Sequence, residues 1–200
     1  MKTKIEKLNM ATIEIKRLIA KASIQAAIDE TNKLVKNTEL ENAGLILAAD
    51  FTAYKRDTIK GILSEDQRQL KSAQIINRLL DLVNDYEIHV LNDLKATVNG
   101  LAAEVSLVPQ TEDNKYVIKE VNDVNDALES IKGATKKEDI PPSAIKRLGN
   151  LIERLNNPAS SERKVITGLK QGVTIMQKIG KSYNSIAQWF GLAQIPVVFL

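Results

Sequence analysis

The sequence predicts an all-α protein: an N-terminal helical bundle built on a long antiparallel hairpin, linked to a second, C-terminal helical bundle. Three observations carry that expectation. Aromatic residues are only 4% of the 200, and an Ala-, Leu-, Ile-, Lys- and Glu-rich composition favours helices over sheets. Apolar residues recur at steps of three and four, and no stretch reads as a β-sheet. Between Thr38 and Glu87, two long amphipathic patterns meet at Lys60-Gly61-Ile62-Leu63-Ser64-Glu65, a connector short enough to return the chain antiparallel. The expected division is a helical domain over 1–105, a linker or exposed loop over 106–120, and a second helical domain over 121–200.

In chain order, Ile5, Leu8, Ile15, Leu18 and Ile19 give an imperfect apolar face to a first helix after a short lead-in. Ser23 suits the cap of a second, with Ile24, Ala27, Ile28, Leu34 and Val35 on its inner side. Thr38 and Glu41 are spaced as a capping box. The hairpin then offers Leu40, Ala43, Leu47, Phe51 and Tyr54 on one arm, and Leu70, Ala73, Ile76, Leu79, Leu80 and Val83 on the other. Gly61 suits the left-handed residue past a helix end, and Ser64 an N-cap with Glu65 and Asp66 in the first turn. Periodicity continues through Val90, Leu91, Leu94, Val98, Leu101, Ala102 and Val105 to Pro109. One helix over that range would span about 60 Å, too long for one compact domain, so it is expected to bridge two units, a break near Asn99-Gly100 being the alternative.

Residues 109–115 read as linker; Val121, Val124, Leu128 and Ile131 mark a short helix ending at Gly133, and residues 134–139 a charged loop. Pro141-Pro142-Ser143 fits a helix start ahead of Ile145, Leu148, Leu151, Ile152 and Leu155, and Ser160 or Ser161 caps the next helix. Tyr183, Ile186, Ala187, Trp189 and Phe190 form a last amphipathic piece, after which Gly191 and Pro196 are expected to release an apolar tail over 197–200.

The chemistry of most enzymes finds no foothold. There is no cysteine and one histidine, His89, so thiolate and multi-histidine metal sites and a Ser-His-Asp arrangement are excluded within one chain. Acid pairs such as Asp81 with Asp85 and Asp123 with Asp126 fall one turn apart and read as solvated faces. No phosphate-cradling glycine loop or nucleophile elbow is present. The expectation is a protein without enzymatic activity, cofactor or metal. No apolar run reaches the ~18 residues of a spanning helix, and no signal-peptide pattern follows Met1, which points to the cytoplasm. A net charge of +3 is too small to argue for nucleic-acid binding. Its distribution is uneven: Arg163, Lys164, Lys170, Lys178 and Lys181 face no acid from residue 163 to the last residue.

Several short strings carry a family likeness in order: Lys16-Arg17-Leu18-Ile19-Ala20-Lys21, Leu45-Ile46-Leu47-Ala48-Ala49-Asp50-Phe51, Tyr54-Lys55-Arg56, the connector Lys60 to Glu65, and Leu79-Leu80-Asp81-Leu82-Val83. On these, residues 13–87 resemble the effector-associated domain of type eleven, a helical adaptor domain of bacterial conflict and immune systems. The chain departs from that pattern at Phe51, where tyrosine is usual, at Arg68, where an aromatic is usual, and at Ala73-Gln74, where Asn-Arg is common. The resemblance implies a non-catalytic module that joins a sensor or NTPase to an effector through like-with-like contacts. It implies as partner a protein with a related domain, or further copies of the same chain in a homo-oligomer.

Two surfaces follow as candidates. Lys55, Arg56 and Lys60 form a basic ridge at a helix end, suited to an acidic patch on a partner adaptor domain; the alternative is a solvated face favourable to the helix dipole. Lys170, Lys178, Lys181, Trp189 and Phe190 describe an interfacial amphipathic segment, and Gly168 and Gly172, four apart, allow close helix approach. This second reading makes residues 163–200 a membrane-acting part that contacts the inner membrane after assembly; the alternative is a helical pair docked on residues 141–156.

Overall fold

A computed structural model describes residues 11–130, 140–189 and 192–196. Among these the chain is all-α, with eight helices and no strand: α1 (Ala11–Ala20), α2 (Ile24–Val35), α3 (Glu41–Ile59), α4 (Glu65–Ser106), α5 (Glu112–Glu129), α6 (Pro142–Asn156), α7 (Ser161–Thr167) and α8 (Gly172–Trp189). The expectations for Ile5, Leu8, Ile131, Gly133, the loop 134–139, Phe190, Gly191 and residues 197–200 lie outside the described residues.

The chain divides into two compact units between Tyr86 and Glu87, inside α4 rather than after residue 105. The reason is that α4, uninterrupted through Asn99-Gly100, serves two cores in turn. Ile75, Leu79, Leu82 and Val83 belong to the first and Leu91, Leu94, Val98, Leu101 and Val105 to the second. The expected linker is also shorter than 106–120. Thr111 accepts a hydrogen bond from the Asn114 N–H at 3.3 Å and starts α5, as an N-cap does ahead of an acidic first turn.

In the first unit the helix ends are set by local chemistry. After α3, the Gly61 N–H reaches the Thr58 carbonyl and the Ile62 N–H the Asp57 carbonyl, with Gly61 at φ +66°. That is a Schellman end, the geometry glycine adopts without a Cβ penalty. Ser64 and Gln67 then cap α4 reciprocally: the Gln67 N–H donates to Ser64 Oγ and the Ser64 N–H to Gln67 Oε1. The box expected at Thr38 and Glu41 is redistributed, because α3 starts only at Glu41. Thr38 Oγ1 accepts from the Leu40 N–H, and the Glu41 carboxylate accepts from the Asn37 N–H at 2.9 Å. Ser23 makes no side-chain cap.

The hairpin packs as expected, with two corrections of register. On α3 the buried stripe is Gly44, Leu47 and Phe51, with Ala43 exposed. On α4 it is Ile75, Leu79, Leu82 and Val83, leaving Leu70 60% exposed and Ala73 outside. Two apolar series one residue apart run along this part of α4. Spacing alone cannot choose between faces 100° apart; the packing of Phe51 and the ion pair of Arg78 with Asp50 accompany the choice made.

In the second unit α5, α6 and α8 close around the later half of α4. One Arg154 nitrogen lies 2.6 Å from the Glu120 carboxylate and 3.1 Å from that of Glu162, with the Tyr116 hydroxyl also in contact, and its two N–H bonds shared among these oxygens tie α6 to α5 and α7. Residues 192–196 fold back on α8. Asn184 Nδ2 donates to the Ile195 carbonyl at 2.8 Å, the Ile195 N–H donates to Asn184 Oδ1 at 2.9 Å, and Asn156 Nδ2 donates to the Pro196 carbonyl. Gly168 caps the end of α7 and Gly172 opens α8. The two glycines thus sit in a helix–helix turn and do not share one helix face.

Candidate functional site

The outer side of α3 is a feature of the first unit that its own core does not explain. Leu47 and Phe51 point into the unit. Away from them Leu45 is 56% exposed, Ile46 57% and, at the helix end, Ile59 83%, and Ala49 and Thr52 are exposed as well. The uncovered part of α3 thus carries large apolar side chains among polar ones such as Asn42, Thr52 and Arg56, where a surface helix ordinarily presents polar residues alone. Steps of four, four, three, four and four place Glu41, Leu45, Ala49, Thr52, Arg56 and Lys60 along one outer line. Asp50 stands off that line, paired with Arg78.

The basic ridge expected from the sequence is divided by this geometry. Arg56 and Lys60 are exposed at the C-terminal end of the outer line, and Arg56 Nε lies 3.4 Å from Asp57 Oδ1. Lys55 is turned toward the core side, its Nζ 5.7 Å from the centre of the Phe51 ring. Such a cation over an aromatic face is held by the ring's quadrupole. Phe51 and Tyr54 lie on the inner side with ring centres 6.1 Å apart. Ile62, 63% exposed just past Gly61, adds an apolar residue to the basic tip. Sequence reasoning missed Leu45, Ile46 and Ile59; the signal was the unbroken apolar run Leu45-Ile46-Leu47-Ala48-Ala49, longer than one buried stripe needs.

In the second unit, the lysines of the basic segment line two grooves rather than one outward face. Lys164 and Lys170 border a groove of about 900 Å³ with Leu107, Val108, Val165 and Leu169. Lys178 and Lys181 border one of about 590 Å³ with Asp93 and Glu104 of α4. The apolar side of α8 (Ile175, Met176, Ile179, Tyr183 and Ile186) is spent on the core. An interfacial helix needs that side free. The Trp189 side chain and Phe190 lie outside the described residues. No described helix is long and apolar enough to cross a membrane.

His89 Nε2 lies 3.6 Å from Asp93 one turn along the same helix, and among the described residues no group of three or more His, Cys, Asp or Glu is placed to hold a metal ion. Asp123 and Asp126 share their groove with Arg147. Arg68, one of the departures noted in the sequence, pairs with Glu65 at 2.7 Å. Burial, with the charge of Glu153 adding to it, pushes the Tyr183 hydroxyl above its ordinary value.

Neither the curated proteins nor the solved structures contain a match to this chain. A protein family does match: effector-associated domain 11, over residues 10–87, three residues longer at the start than the stretch read from sequence. Effector-associated domains are generally protein-interaction modules. The matched stretch takes in α1, α2, α3 and the first half of α4, so the apolar and basic outer side of α3 lies within a region similar to effector-associated domain 11.

Proposed function

We propose that the protein is a non-enzymatic adaptor of a bacterial conflict or anti-phage system, working in the cytoplasm. Its first unit joins helix to helix with a protein carrying a related domain, or with further copies of itself, and its second unit passes the assembly signal on. The likeness of residues 10–87 to an interaction module supports this reading. The observation that carries it is the uncovered apolar side of α3, with Leu45, Ile46 and Ile59 more than half exposed beside Arg56 and Lys60. Contacts of this composition derive affinity from apolar burial and register from charge.

The test is binding between the purified full chain and proteins encoded beside its gene that carry a related domain, measured by calorimetry. Binding that is weakened tenfold or more by Ala49→Arg supports the adaptor. Absence of binding to every such protein, together with a chain that remains monomeric at high concentration, overturns it.

A further inference from the structure

The outer line of α3 has a charge order that makes it its own complement. It begins with Glu41, whose carboxylate is half-buried and accepts the Asn37 N–H. It then runs through Leu45, Ala49 and Thr52 without a charge, and it ends in the exposed Arg56 and Lys60. Two such helices packed antiparallel about a two-fold axis near residue 50 set Glu41 of each copy against Lys60 of the other. Leu45 then meets the aliphatic stem of Arg56, and the small residues Ala49 and Thr52 meet at the axis. Isologous contacts require this property, that one patch fits a copy of itself after a half turn. A parallel pairing would set like charges together at both ends.

We propose that the outer side of α3 is a homotypic docking surface whose occupant is the α3 of a second copy, packed antiparallel. The proposal rests on the adaptor reading and specifies the partner and register of its contact. The patch is one helix face, well below the ~20–30 residues per side of a standard stable interface. Association is therefore weak, and it becomes appreciable where copies are concentrated, as a triggered assembly requires.

The experiment is sedimentation of the full chain over concentrations up to millimolar. Wild type shows reversible dimers, and Ala49→Arg, a substitution at an exposed position, weakens them tenfold or more. Lys60→Glu sets Glu41 against a second glutamate, and Glu41→Lys sets Lys60 against a second lysine, so each alone is monomeric. An equimolar mixture of the two restores opposite charges at both ends of the contact and associates as a heterodimer. Circular dichroism of each variant reports that its helices remain folded, and Ala49→Arg, which leaves the Glu41 contact with Asn37 intact, tests the surface independently of Glu41→Lys. A monomeric wild type, dimers indifferent to Ala49→Arg, or a mixture that fails to associate overturns the proposal. A chain that stays monomeric yet binds a neighbouring protein with a related domain overturns this contact and leaves the adaptor reading standing.

Discussion

The Tyr183 ring of α8 occupies the space that a side chain on Gly149 of α6 would fill. A methyl group on Gly149 would come within 2.6 Å of the Tyr183 hydroxyl oxygen and 3.1–3.2 Å of two ring carbons. An aromatic ring in a filled core cannot swing away as a flexible side chain does. Gly149→Ala is expected to cost about 2 kcal/mol through overpacking, read by urea denaturation. Tyr183→Leu combined with it should restore part of the loss, since the two positions share one volume.

Asn184→Leu should destabilise the second unit by about 2 kcal/mol, because it strands both the N–H and the carbonyl of the buried Ile195. Hydrogen exchange should report the loss first at residues 192–196, with the first unit unaffected. A uniform change across the chain would contradict the local role of this pair.

Two helix ends in the first unit carry opposite expectations. After α1, Ala22 stands at φ +56° in the same arrangement that Gly61 makes after α3, its N–H on the Ile19 carbonyl and the Ser23 N–H on the Leu18 carbonyl. Alanine pays for the left-handed conformation and glycine does not. Ala22→Gly should therefore raise stability by up to about 1 kcal/mol, and Gly61→Ala should lower it by about the same amount. Thermal melts of both variants check the pair of signs.

The raised Tyr183 hydroxyl makes alkaline stability a readout of packing. Burial disfavours the phenolate, so the folded chain holds the proton to a higher pH than the unfolded chain does. Its contribution is complete below the ordinary tyrosine value of about 10. It falls as pH rises past that value, where the unfolded chain has already released the proton, and it is lost once the folded value is passed. Denaturation between about pH 8 and pH 11 should show a steeper alkaline decline for wild type than for Tyr183→Phe.

What could be read in advance was what neighbours in sequence decide. Gly61 and Ser64 act through atoms at most four residues away, so the turn between α3 and α4 was foreseeable residue by residue. The choice between Ile75 and Ile76 on α4 was not, because it depends on how Phe51 packs from another helix. The same reason hid the division at Tyr86 and Glu87: a helix shared by two cores keeps one periodicity throughout. Thr111 was legible but outweighed by the polar residues around it. At the candidate surface, Arg56 and Lys60 were found from charge alone. The separation of Lys55 from them was not legible, because its position over Phe51 depends on side-chain direction, nor was the exposure of Leu45 and Ile46, which depends on the side of α3 that other helices cover.

The contact between Asn184 and Ile195 is made to main-chain atoms only, with the amide group imitating a peptide unit. Such a latch is indifferent to spelling. Ala193 and Gln194 could be rewritten freely, subject only to the backbone reaching the same place, while position 184 tolerates no apolar replacement. The fold thus asks little of Ala193 and Gln194 beyond their backbone, while Leu192 and Ile195 on either side of them keep their apolar character for the core.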